Sequence, residues 1–294
     1  MLHVTLYGLG PPDFIPSERI QLDLSAVAEQ PPPQEVAMRD ARPLQVAAES
    51  EARFFADHGF VLLRHHSAVR DWEPNLADPP NSDLGRLYLG EIDAVIRERL
   101  LPGGRLLIWQ YPILVRRGEG MSTPQYGTGV HQDYSLTPDD YQVNVVAYAG
   151  EAVGARWRRR YEQDDVQGFL AINFWRTTDM EGPLRHMPLA VCDPASVAPD
   201  DVIQFAMTGI APEGRVTHNM GLRYSPEHLW YYYPGMTGDE LLAFKIFQCM
   251  KADPVPRLAT CFHSAFEHPE TPADAQRRQS CEHRVNVFLL KDDA

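Results

Sequence analysis

From Arg105 onward the chain is broken into short runs rich in β-branched and aromatic residues: "RLLIWQYPILVRR", "QVNVVAYA", "FLAINFWR", "PLAVCD", "LRYSPEHLWYYYPG", "RLATCFHSAF" and "EHRVNVFLL". Such side chains pack well on a pleated surface, so the runs read as strands. Many short strands in succession must bury their apolar faces against one another, which restricts the fold to a sandwich or barrel. Two helices are expected to interrupt them, at "GARWRRRYEQDDVQ" and at "TGDELLAFKIFQCM", where Thr237 and Glu240 fit a capping box.

The first hundred residues have another texture. "LHVTLYGLG" reads as a short strand, "EQPPPQEV" as an irregular surface connector, "PLQVAAESEARFFADHG" as a helix ending at Gly59, and "FVLLRHH" as a buried strand. Leu84, Leu87, Ile92, Val95, Ile96 and Leu100 fall near one face of a helix that Ser82 caps and "PGG" stops. The expected fold is α+β, mainly β, in one domain over 1–294, with a helical and strand layer over 1–104 and a β core over 105–294.

A formal net charge of -13 argues against holding nucleic acid or an anionic membrane through a general basic field. The four cysteines are widely spaced with no CxxC pair, which fits a reducing cytoplasm rather than a disulfide framework or zinc ribbon. The opening "MLHVTLYGLGPPDF" lacks the basic and long apolar regions of a secretory signal, and no apolar run is long enough to span a bilayer. A cytoplasmic protein with a small-molecule substrate is expected, its oligomeric state open.

Within "GTGVHQDYSL", His131 and Asp133 stand two positions apart. Residues i and i+2 of a strand point to one side, so an imidazole and a carboxylate would share one space. A mononuclear non-haem iron site needs two His and one carboxylate on one face of the metal, and HxD supplies two of the three. A chain with 11 His yields about one HxD by chance, so the tripeptide alone says little. His268 and Glu270 form a rival pair, but Pro269 between them disfavours an interior strand.

The C-terminal stretch adds His263 at the end of an apolar run, then Arg278 and Ser280 entering another. A guanidinium presents two parallel donors to a carboxylate, and a serine hydroxyl adds a third. Arg284 shares that strand face and is a rival anchor, or a partner of Glu282; spacing favours Arg278. Asn173 and Arg176 in "NFWR" are further candidates for co-substrate or substrate contact, and Tyr232 in "YYYP" for a ring-containing substrate. Cys261 reads as an inert buried thiol, and His65 and His66 as surface or loop residues.

Taken with "FADHGFVLLRHHSAVRDW", "AINFWR", "GPLRHMPLAVCD", "WYYYPGMTGDELLAFK" and "HSAFEHPETPADAQRRQSCEHR", and with their order, these motifs resemble the iron(II)- and 2-oxoglutarate-dependent oxygenases. The resemblance is to the hydroxylase/desaturase group, which includes the hydroxylase component of cephamycin 7α-methoxylation and fungal natural-product oxygenases. It implies a double-stranded β-helix, or jelly roll, with iron held by His131, Asp133 and His263. It also implies that Arg278, helped by Ser280, binds the distal carboxylate of 2-oxoglutarate, with O2 as oxidant and hydroxylation as the default outcome. The segment "WQYPILVRR" departs from the family pattern; it contains Tyr111 and is expected to line the substrate pocket, which puts substrate identity in doubt rather than reaction type. The β-lactam branch allows a methyltransferase partner. Competing readings are a cupin-like metal-binding protein or isomerase without 2-oxoglutarate turnover, and a zinc hydrolase, for which no general base is marked.

Overall fold

The computed structural model describes residues 2–24, 31–73, 77–121, 123–253 and 257–292. In chain order its elements are β1 (Leu2–Leu6), β2 (Ile20–Asp23), β3 (Gln34–Asp40), α1 (Arg42–Val46), α2 (Glu51–His58), β4 (Phe60–Arg64), α3 (Leu89–Val95), β5 (Arg105–Trp109) and β6 (Val115–Arg117). There follow α4 (Pro138–Ala149), α5 (Glu151–Tyr161), β7 (Val166–Thr177), β8 (Leu189–Cys192), β9 (Val202–Thr208), β10 (Thr217–Leu222), β11 (Trp230–Tyr232), β12 (Glu240–Met250), β13 (His263–Ala265) and β14 (Ser280–Leu290). α3 is the middle of a longer helix, with one π-helical segment before it (Leu84–Tyr88) and another after it (Ile96–Leu100).

The fold is mainly β. A six-stranded sheet runs β4-β12-β7-β14-β5, with β6 also on β14; a five-stranded sheet runs β1-β3-β11-β8-β13; a three-stranded sheet runs β10-β9-β2. The segment around His131 joins the last two, because His131 bridges His263 of β13 and Gln132 bridges Met220 of β10. One apolar core takes Phe244, Val285 and Ile172 from the six-stranded sheet and Val191 and Tyr231 from the five-stranded sheet. A second lies on the reverse face of the five-stranded sheet, around Trp230, Tyr232, Val36 and Met220.

Several sequence expectations change. "QVNVVAYA" is not a strand but the body of α4. Thr137 caps that helix by accepting from the Asp140 amide at 3.1 Å, Pro138 opens it, and Asp140, Tyr141, Asn144 and Ala147 form its buried face. "TGDELLAFKIFQCM" is not a helix but β12. Lying between β4 and β7, β12 is buried on both faces from Leu241 to Phe247, and a run buried on both faces loses the period-2 signal. The expected capping pair survives only as a turn, with the Thr237 amide donating to the Glu240 carboxylate at 3.0 Å.

The interrupting helix starts earlier than expected, at Glu151, and ends at Tyr161, leaving Val166 to open β7. "PLQVAAESEARFFADHG" holds two helices, because extended Ser50 breaks the first and caps the second through the Arg53 amide; Gly59, at φ 75°, closes it as expected. In "EQPPPQEV" the three prolines at 31–33 are exposed irregular chain as expected, but Gln34 opens β3, while Glu29 and Gln30 lie outside the described residues. The Ser82 cap holds, with its hydroxyl accepting from the Gly85 amide at 3.0 Å. Gly85 is required there, since a Cβ would stand 2.3 Å from the Pro79 carbonyl.

Candidate metal centre

His131 and His263 are directly opposed in an antiparallel bridge and exchange both backbone hydrogen bonds, at 3.2 and 3.0 Å. Their ring centroids are 4.3 Å apart. Asp133 projects to the same side, with Oδ1 3.9 Å from His131 Nε2, and one ligand atom from each of the three lies within 4.8 Å of the others. The space over them, ≈ 60 Å³, is lined by Arg117, Trp175, Phe244, Arg278, Glu282 and Arg284 among others. A larger concavity of ≈ 690 Å³ beside α4 and α5, lined by Gln142, Val146 and Arg215 among others, has no histidine or cysteine in its lining.

The donor atoms are poised for a cation. His131 Nδ1 faces the Gly129 carbonyl at 2.7 Å and His263 Nδ1 the Cys261 carbonyl at 3.3 Å. Each Nδ1 therefore carries the proton and leaves the Nε2 lone pair free, the arrangement that fixes metal-binding histidines. Asp133 Oδ1 accepts from Arg284 at 3.2 Å, whereas its Oδ2 is buried with no partner among the described residues. Burial opposes ionisation of Asp133, but Arg284, His263 and His131 outweigh it and hold the carboxyl below its usual range. Burial, then the neighbouring His131, takes the His263 imidazole down to about 4, so it is neutral at pH 7. A buried carboxylate with one unpartnered oxygen, grouped with two imidazoles whose Nδ1 atoms are held by backbone carbonyls, fits a divalent metal ion.

Two asparagines not marked in the sequence hold the backbone of the carboxylate ligand. Asn219 donates to the Asp133 carbonyl at 2.6 Å and Asn144 to the same oxygen at 3.2 Å. Gln132, between the two ligands, is fully buried and donates to the Ile246 carbonyl at 3.0 Å, where β12 shifts register against β7. The available signal for Asn144 was an amide flanked by valines within the run "QVNVVAYA", which becomes part of a buried helical face once the run is helical.

Arg278 is 1% exposed and stacks over Tyr126 at 4.2 Å and Trp175 at 5.5 Å. Its Nη1 donates to the Met187 carbonyl at 2.5 Å, its Nε has no partner, and no carboxylate pairs with it among the described residues. Burial pulls this guanidinium down to about 9. Ser280 is also buried, with a hydroxyl that has no partner among the described residues. Arg284 is occupied by Asp133 and, at 2.9 Å, by Glu282, the partner suspected for it.

Asn173 is fully buried between Arg284 and Phe244 on the neighbouring strands, both of which line the space, and both its amide atoms lack partners among the described residues. Arg176, by contrast, is not with these residues. It alternates with Trp175 onto the reverse face of β7, donates to the His65 and Gly238 carbonyls and stacks over Trp72. Tyr232 lies on the outer face of the five-stranded sheet, its hydroxyl 3.1 Å from His268, and Tyr111 is a half-exposed loop residue outside the lining. His268 and Glu270 are loop residues, His66 is exposed against Asp239, and His65 is largely buried beside Arg176 and Glu91. Cys261 is buried, which pushes its thiol well up, as expected of an inert residue.

Two histidines and a carboxylate converging between β-sheets, beside a buried arginine, form a group that could hold a metal ion, with the ligand types that non-haem iron sites use. The chain belongs to the Oxidoreductase/YMDC permease-like domain family, whose model matches residues 17–288. Among the described residues no helix is long and apolar enough to cross a membrane.

Curated relatives carry the hydroxylase/desaturase name. The chain is 36% identical over 127 residues to the hydroxylase/desaturase efuI of Hormonema carpetanum, covering 40% of each chain. It is 32% identical over 125 residues to the Fe(II)/2-oxoglutarate-dependent dioxygenase nvfI of Aspergillus novofumigatus, covering 41% of each. It is 32% identical over 117 residues to aspirochlorine biosynthesis protein N of Aspergillus oryzae, covering 40% of this chain and 47% of that one. The chain thus spans less than half the length of these relatives. A solved structure of the iron and alpha-ketoglutarate-dependent endoperoxidase NvfI shares the fold, with a TM-score of 0.70, 21% identity and 98% of both chains covered.

Proposed function

We propose that this chain is an iron(II)- and 2-oxoglutarate-dependent oxygenase, a hydroxylase or desaturase of a small natural product or biosynthetic intermediate. The proposed fold is a single oxygenase domain over 1–294 with a double-stranded β-helix core. The observation that carries the reading is a buried guanidinium, Arg278, with no carboxylate partner beside a His131/Asp133/His263 triad that leaves a carboxylate oxygen and two imidazole nitrogens free. A metal site alone would suit a cupin or a zinc hydrolase; an unpaired buried cation beside it calls for an anionic co-substrate.

His131, Asp133 and His263 hold the metal. Arg278 and Ser280 bind the distal carboxylate of 2-oxoglutarate. Arg284 keeps Asp133 ionised by donating to its Oδ1 and leaves Oδ2 free, while Asn144 and Asn219 fix the Asp133 backbone. Bound iron(II) and 2-oxoglutarate supply activation of O2, coupled to conversion of the keto acid to succinate and carbon dioxide. Trp175 and Phe244 exclude water on one side, and the half-exposed His131 marks the open side from which substrate arrives.

The test is anaerobic addition of iron(II) and 2-oxoglutarate to metal-free protein. The expected result is the weak visible charge-transfer band of the chelate, then succinate when oxygen is admitted. No band and no succinate would refute the reading.

A further inference from the structure

Five charged side chains line the space over the triad: Asp133 and Glu282 against Arg117, Arg278 and Arg284. Arg284 is spent on both carboxylates. Arg278, the innermost and almost fully buried, is the co-substrate anchor proposed above. A divalent ion and a doubly charged 2-oxoglutarate cancel each other, so a loaded site still carries one positive charge in excess.

That charge falls on Arg117. It lies on β6 directly across from Ser280 of β14 and lines the space. Its neighbour Arg116 turns to the reverse side, where it pairs with Asp179 at 2.6 Å and with Glu73. Arg117 has no carboxylate within ion-pair reach among the described residues; its Nη1 donates to the Gln125 carbonyl at a long 3.3 Å. It is half-buried, so it meets solvent where Arg278 does not. The backbone holds it close to the anchor: at Gly118 a Cβ would stand 2.9 Å from the Arg278 carbonyl. Trp175, Leu189, Phe244 and Ala265 supply an apolar wall to the same space.

We propose that Arg117 receives an anionic group of the substrate, and that the substrate class is a small carboxylic acid with an apolar body. This rests on the oxygenase reading. A half-buried guanidinium without a counter-ion beside an apolar wall selects such a ligand, since a neutral isostere would leave the cation desolvated and unpaired.

The experiment titrates protein loaded with manganese(II) and 2-oxoglutarate, by calorimetry, with phenylacetate, cinnamate and decanoate and with the methyl ester of each. Wild type, Arg117→Gln and Arg117→Lys are compared, and the Kd of 2-oxoglutarate is measured for each. The expected result is that at least one acid binds wild type better than its ester and that Arg117→Gln weakens it roughly tenfold or more. Arg117→Lys should restore part of the loss, with 2-oxoglutarate affinity unchanged throughout. Acids that bind no better than their esters, or no loss in Arg117→Gln, overturn the proposal while leaving the oxygenase reading intact. A fall in 2-oxoglutarate affinity in Arg117→Gln assigns the residue to the co-substrate and also overturns it. Wild type that fails to bind 2-oxoglutarate in the presence of manganese(II) overturns both.

Discussion

Replacing Arg278 by methionine separates a functional cation from a structural one. In the ligand-free protein the side chain makes one charge-assisted hydrogen bond, to the Met187 carbonyl, and stacks on Tyr126 and Trp175. Losing the bond costs about 1.5–3 kcal/mol, and losing the stacking roughly 1–2 kcal/mol. Against this, methionine removes a buried charge whose desolvation costs several kcal/mol and which no carboxylate offsets. The opposing contributions nearly cancel, so the metal-free variant should match wild type within about 1 kcal/mol by urea denaturation.

The ligand-bound state should differ sharply. Loss of a charge-assisted carboxylate clamp costs about 2–5 kcal/mol, a roughly 30-fold or greater rise in the Kd of 2-oxoglutarate. At a concentration of 100 times the wild-type Kd, 2-oxoglutarate stabilises wild type by about 2.7 kcal/mol, or roughly 5 °C in Tm for a chain of this size, and the same concentration should stabilise the variant by less than about 1 kcal/mol. A variant destabilised by more than about 3 kcal/mol with its 2-oxoglutarate affinity intact would make Arg278 a strut of the core and refute the reasoning.

Arg284→Met should behave in the opposite way, because it leaves Asp133 and Glu282 buried without their cation; a loss of about 3–5 kcal/mol in chemical denaturation is expected. A larger defect in 2-oxoglutarate binding than Arg278→Met shows would make Arg284 the anchor. Asn219→Ala should leave the sheets intact but lower metal affinity roughly 10- to 100-fold, measured by competition with a chelator, since it frees the Asp133 carbonyl. His283, buried beneath Tyr88, is pulled down to about 4 by burial. Its folded-state value lies below the unfolded value of about 6.5, so its contribution is complete above pH 6.5 and is lost as pH falls toward 4. Wild type should lose about 3 kcal/mol through this residue over that window. Denaturation at pH 7 and pH 4.5 should show a smaller difference in His283→Gln.

The sequence alone determined that the chain is mainly β and marked His131, Asp133, His263, Arg278 and Ser280 as the residues to watch; it set the start of α5 too late and did not place α4, which lies at 138–149 within the stretch expected to be the β core. Strand composition carries the first of these, and the i, i+2 geometry of HxD brings two ligands to one side without tertiary information. His131 and His263 lie far apart in the chain, and only strand pairing decides that they are register partners exchanging backbone hydrogen bonds. Local patterning failed where burial removed its contrast: β12, apolar on both faces, imitated a helix, and α4, whose buried face spans an apolar run, imitated a strand. Facing decided the rest. Asn173 and Arg176 lie three positions apart on one strand, yet the pleat sends the first toward the triad and the second to the reverse side of the sheet, and no count along the chain says which side holds the triad. What separates Arg278 from Arg284 was likewise beyond the sequence: the fold buries the first with no carboxylate beside it among the described residues and sets the second, half-buried, against Asp133 and Glu282.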